Sequence, residues 1–235
     1  MRRQSKKNPW RNTRNDFEMP WNKIYGVMMV ISTAIMLITL APNIVLRSGV
    51  FYSYFLSKTG VVKEIPYAVE MGDVRDTFKD FMWHKMQNFN LMEKEGYMPQ
   101  LVFTKMDNEI MSFIRGTMDI LALVGIVALI LFIFSGIKLY LNKKKDYMFN
   151  AYKISMILTV ILMALHCVVL FVPFIREYLF VARYGSEYPP GDVLLQIFQA
   201  GLPVYYGCGI LLVGFVLSLG ITYLMVKFVA RRKMF

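Results

Sequence analysis

Ile154 to Ile175 reads ISMILTVILMALHCVVLFVPFI, 22 residues without a formal charge. At about 1.5 Å of rise per residue, a helix of this length crosses the ~30 Å hydrocarbon core of a bilayer. His166 lies near its middle and is the only histidine in the long apolar runs. An ionisable side chain at that depth is costly, which makes it a functional-site hypothesis. The competing reading is a neutral imidazole that hydrogen-bonds a neighbouring helix, since polar residues between membrane helices also serve packing.

Three further runs repeat the pattern on either side. Ile24–Leu46 is uncharged, Thr117–Tyr140 carries only Asp119 and Lys138, and Val193–Val226 has 34 residues without a charge. The last is too long for one untilted span, and Gly201-Leu202-Pro203 divides it into an interfacial helix and a span over 203–226. With 56% hydrophobic and 18% charged residues, the chain reads as an all-α polytopic membrane protein with four transmembrane helices in a single domain. The spans are 24–46, 117–140, 154–175 and 203–226. The first is too long for a signal-peptide core and lacks a small-residue cleavage site, so it reads as a retained anchor.

The net charge of +11 is unevenly placed. Residues 1–23, 138–153 and 227–235 together carry +13, and the rest of the chain −2. Basic bias in alternate loops puts both termini and loop 141–153 in the cytoplasm, with 47–116 and 176–202 outside. That distribution points to anionic lipid headgroups and not to nucleic acid. Cys167 and Cys208 fall in spans and read as small buried hydrophobes. No metal-ligand spacing, phosphate loop or nucleophile turn occurs, and the spans lack the paired imidazoles of a membrane haem, so no cofactor is expected.

The outer segment 47–116 is charge-balanced. It opens on Phe51, Tyr52, Tyr54 and Phe55, an aromatic group suited to an interface. Apolar residues recur at helical period from Asp73 to Met92, predicting an amphipathic helix that buries Phe78, Phe81 and Phe89 against the bundle mouth or the membrane surface. His84 lies beside that stripe and reads as a solvated or interfacial histidine. Asp107 is a good N-cap residue for a second helix. Glu109, Ser112 and Arg115 follow at helical spacing and share a face, with Asp119 in the first turn of the span. They either converge over the bundle mouth or form an ordinary interfacial boundary of snorkelling charges.

This layout resembles the lipoprotein intramolecular transacylase family of bacterial four-span membrane proteins. The resemblance rests on Phe51-Tyr52 after the first span, Phe103 to Glu109 before the second, His166 and Phe171 in the third, and Asp192 to Pro203 before the fourth. It implies acyl transfer from the lipid-modified cysteine of a lipoprotein to that cysteine's own amine, at the outer leaflet of a bacterial plasma membrane. His166 and Glu109 are then the catalytic candidates, and Ser112 and Arg115 the substrate-binding ones. The family pattern has a histidine and then an aspartate after the acidic residue, where this chain has Ser112 and Arg115. His84 lies too far upstream to fill that place by sequence, and only the fold could bring it near. The non-enzymatic alternative is an accessory subunit that binds lipid or a partner through the outer segment.

Overall fold

A computed structural model of the chain describes residues 21–93, 100–173 and 192–227. The tails up to residue 20 and beyond 227, and the loop with Tyr178, Tyr184, Tyr188 and the Pro189–Gly191 turn, lie outside the described residues.

Among the described residues, four helices are long and apolar enough to cross a membrane. They are α1 (Trp21–Leu46), α4 (Lys105–Leu141), α5 (Lys145–Phe171) and α7 (Leu202–Met225). Two short helices, α2 (Gly49–Thr59) and α3 (Met71–Met82), follow α1, and α6 (Val193–Gln199) precedes α7. The protein is therefore a multi-pass helical membrane protein.

α1 is the central strut. Half of its apolar window is buried, against 17–28% for the other three long helices. It packs on α4, α5 and α7 in turn. Close approach depends on small residues, because lipid tails are as apolar as leucine and helices in a bilayer associate through packing. A methyl group at Gly125 of α4 would lie 2.6 Å from Thr39 Oγ1, and one at Gly209 of α7 would lie 2.9 Å from Val45 Cγ1. Both glycines let their helix sit directly against α1.

α1 runs through Pro42 for one more turn, and Asn43 Nδ2 donates to Thr39 O at 3.0 Å. Proline and asparagine therefore do not end it. The chain then turns at Arg47, and Ser48 caps α2 by accepting from Phe51 N. At the far end of the chain, Gly201 takes φ +103° and Pro203 stands in the first turn of α7, so the division expected at Gly201–Pro203 is present.

The segment after α1 forms a cap over one end of the bundle. Its core is aromatic: Tyr52, Phe55, Phe78, Phe81, Phe89 and Phe103 are all 2% exposed or less. Phe89 is the hub, with ring centroids 4.4 Å from Phe103, 5.0 Å from Phe78 and 5.3 Å from Phe81. Tyr52 Oη donates to Leu46 O at 2.9 Å, which ties the cap to the end of α1. Burial pushes the Tyr52 phenol far above its ordinary pKa, so it stays a donor. Tyr52 and Phe55 are thus core residues, while Tyr54 is largely exposed. On the opposite face of α3, Arg75 and Lys79 hold Asp76 well below the usual carboxylate range.

Three expectations are corrected by the helix ends. The helix predicted over 73–92 stops at Met82. Phe89 is buried as its period suggests, but from an irregular segment that an isolated bridge, Met92 with Leu101, helps to shape. α4 begins at Lys105, so Asp119 lies its fifteenth residue in and not in a first turn. At about 1.5 Å per residue the 37 residues of α4 run ~55 Å, well beyond a ~30 Å core, and the excess enters the cap. Thr104, not Asp107, is the N-cap, and Asp107 completes the capping box from the third position.

Candidate functional site

The site is set by how α3 stops. His84 N donates to Phe81 O at 3.1 Å and Lys85 N to Asp80 O at 2.9 Å, the two bonds of a Schellman turn. The residue at the turn's left-handed position is His84, with φ +59°, where glycine is usual. The turn swings the imidazole onto α4, where Nε2 lies 2.9 Å from Asp119 Oδ2. A carboxylate only accepts, so Nε2 is the donor, which in the neutral tautomer leaves the lone pair on Nδ1.

Arg47 fixes the other side of Asp119. Its Nη2 lies 2.5 Å from Oδ1, its carbonyl accepts from Trp83 Nε1 at 2.8 Å, and its guanidinium sits 5.3 Å from the Trp83 ring centroid. The corner between α1 and α2, the end of α3 and the middle of α4 therefore meet at one carboxylate. The His84 side chain is 54% exposed. An imidazole oriented by a fixed carboxylate is the arrangement a general base needs.

His166 lies on α5 between two contacts with α7, Met163 against Gly214 and Leu170 against Gly207. Its ring is half-buried, and Nε2 is buried with no hydrogen-bond partner. Asn43 Oδ1 and Tyr206 Oη are likewise buried and without a partner. The Tyr206 ring packs 6.4 Å from Phe51, under the cap. An unpaired buried polar atom costs about 1–3 kcal/mol, so three in the cap-side half of one bundle call for an explanation beyond packing.

The residues expected at the mouth are placed differently. Arg115 donates to Met86 O at 3.0 Å and Phe81 O at 3.4 Å, and its guanidinium lies 4.0 Å over the Phe81 ring. It braces the His84 turn. Ser112 is half-buried and Glu109 is exposed, and no bond joins either to Arg115 among the described residues. The buried carboxylate ahead of the span is Asp107, not Glu109. Two residues on a helix are about 200° apart, so the capping box that turns Asp107 inward turns Glu109 out. Asp107 Oδ2 accepts from Thr104 N at 2.8 Å, and Thr104 Oγ1 donates to Asp192 Oδ2 at 3.5 Å. Asp192 Oδ1 in turn accepts from Leu195 N at 3.0 Å, so one threonine links the caps of α4 and α6.

Sequence spacing could not reveal the His84–Asp119 pair, because 35 residues separate its members. The available hint was local. Histidine is one of the few non-glycine residues enriched in left-handed backbone, and His84 closes an amphipathic helix.

No family model matches the chain, and no curated protein matches it. Solved structures do match. The fold is similar to the membrane integral lipoprotein intramolecular transacylase Lit from Bacillus cereus, with a TM-score of 0.65 and 15% identity over 88% of this chain and 96% of that one. A structure of the same protein with one histidine changed to alanine gives a TM-score of 0.65 at 13% identity, over 92% and 96%. One with that histidine changed to arginine gives 0.62 at 14% identity, over 88% and 92%. At these identities the likeness is one of fold, and the chain has the architecture of that transacylase nearly end to end.

Proposed function

We propose that the chain transfers an acyl group at the capped end of the bundle, from the lipid-modified cysteine of a lipoprotein to that cysteine's own amine. The observation that carries this is His84 Nε2 at 2.9 Å from an Asp119 that Arg47 also holds. The class of substrate proposed is that of the structurally similar Lit transacylase. In the proposed step the amine nitrogen attacks the ester carbonyl. The carbonyl–oxygen ester bond breaks as the amide bond forms. The amine's proton passes to His84 Nδ1 and then to the departing alkoxide. His166 and Tyr206 supply polar atoms for the ester below the cap. Arg115 acts as a positioning residue for the His84 turn, and Glu109 and Ser112 are given no chemical step.

The capped end faces outward in a bacterial plasma membrane, and the basic end faces the cytoplasm, on the charge bias of the loops. Membrane-impermeant labelling of a cysteine at Lys58 from outside, with none at Lys144, is the expected result. Labelling at Lys144 from outside reverses the topology.

The activity is tested by mass spectrometry of lipoprotein N-termini from cells with and without the protein. Conversion to the N-acylated form is expected with the wild type. General-base contributions run to about 10²–10⁴-fold, so His84→Gln should lower conversion by at least ~100-fold, and His166→Ala, which removes a polar atom offered to the ester, should lower it by a smaller factor. If both variants fold and convert as well as the wild type, acyl transfer on these histidines is wrong and the accessory-subunit reading takes its place.

A further inference from the structure

At the end of the bundle opposite the cap, α4 and α7 stand apart, and a crevice of about 360 Å³ opens between them. Ile133, Gly136 and Tyr140 of α4 form one wall, Leu224 and Met225 of α7 the other, and Met29 of α1 the floor. Gly136 makes the room: a Cβ there would meet nothing within 4 Å. The lining runs along α4 from Phe132 to Leu141, about 14 Å of helix, close to the ~15 Å depth of one leaflet's hydrocarbon.

The apolar wall does not by itself select an occupant. A lipid tail is as apolar in the bilayer as against these side chains, so there is no hydrophobic gain from entering. Selection has to come from the mouth, and the mouth is basic. Lys145 Nζ lies 4.7 Å from the centroid of the Tyr140 ring that lines the crevice. Lys227 Nζ lies 5.8 Å from the Tyr223 ring, at the same end of α7. Lys143 and Lys144 form the turn between α4 and α5, and Asp146 is the one carboxylate between residues 138 and 153. Tyr140 thus joins an apolar slot of leaflet depth to a cluster of ammonium groups at headgroup level.

We propose that this crevice binds one acyl chain of an anionic phospholipid from the surrounding leaflet, with its phosphate against Lys145 and Lys227. The site lies at the far end of the bundle from His84 and does not depend on the acyl-transfer reading.

The test is native mass spectrometry of the full chain released from nanodiscs of equal phosphatidylglycerol and phosphatidylcholine. The wild type is expected to retain phosphatidylglycerol in preference to phosphatidylcholine. A juxtamembrane lysine near an anionic surface is worth about fivefold in affinity, so Lys145→Gln and Lys227→Gln should each reduce that preference by roughly this factor. Gly136→Leu fills the slot and should remove the retained lipid whatever its headgroup. Leu224→Trp fills it from the other wall, so failure of either variant to fold leaves the other to decide. Equal retention of the two lipids by the wild type, or retention unchanged when the slot is filled, shows boundary lipid only and overturns the proposal.

Discussion

The cap and the membrane bundle are held together by different means. In the bundle, long apolar helices pack through glycines and small side chains, and much of each outer helix faces lipid. In the cap, short helices surround aromatic rings packed mostly edge to face, and hydrogen bonds close the turns that begin α2 and end α3. Solvent explains the difference. The cap has water on one side, so burying apolar area stabilises it at about 25 cal/mol per Å². The bundle has no such term between its helices, and shape decides there.

The largest effect on stability is expected where the cap is most aromatic. Phe89 touches three other rings in an irregular segment. Phe89→Ala should cost about 3–5 kcal/mol, the usual range for a buried ring. Hydrogen exchange should speed up over residues 49–92 and stay slow in α4 between 120 and 138. Equal loosening of both regions would show that cap and bundle unfold as one unit.

A smaller effect tests the bundle by the opposite change. Gly125→Leu puts atoms where Thr39 and Leu40 already are. Overpacking of this kind costs about 1–3 kcal/mol, read as a lower midpoint in thermal unfolding in detergent. A variant as stable as the wild type would mean that α4 can move off α1 freely. Smaller again is Thr104→Ala, which removes the N-cap of α4 and its link to Asp192. About 1 kcal/mol is expected, confined to the cap.

The same contrast decides how much the sequence could reveal. Hydropathy and length identify the four spans, because a bilayer imposes one rule on all of them, and the division at Gly201–Pro203 follows from backbone chemistry. Inside the cap, periodicity finds Phe78, Phe81 and Phe89 but extends α3 ten residues too far. A ring buried from an irregular segment is indistinguishable, by spacing, from one buried on a helix. The site is legible only in pieces. His166 is visible as a polar residue in an apolar run. The His84–Asp119 pair needs a left-handed turn and a helix that projects beyond the membrane, and neither leaves a spacing in the chain. Arg115 misleads for a related reason: its helical register is right, but its long side chain reaches across to the end of α3.

The smallest stability change is expected at the residue proposed to matter most for activity. His84 occupies a left-handed position, which costs a non-glycine residue about 1–2 kcal/mol. His84→Gly relieves that cost. It also loses about 0.5–1 kcal/mol through the greater freedom of glycine in the unfolded chain. The contact with Asp119 goes too, and pairs this exposed are worth about 0–1 kcal/mol. These changes nearly cancel, so the midpoint of unfolding should stay close to the wild type, within roughly 0.5 kcal/mol. Conversion of lipoprotein N-termini should nevertheless fall as far as in His84→Gln. A glycine variant that is stable and inactive separates the imidazole's chemistry from its place in the turn. A glycine variant that loses several kcal/mol would instead make His84 a structural latch between α3 and α4, and the cap would then be held by its polar contacts as firmly as by its rings.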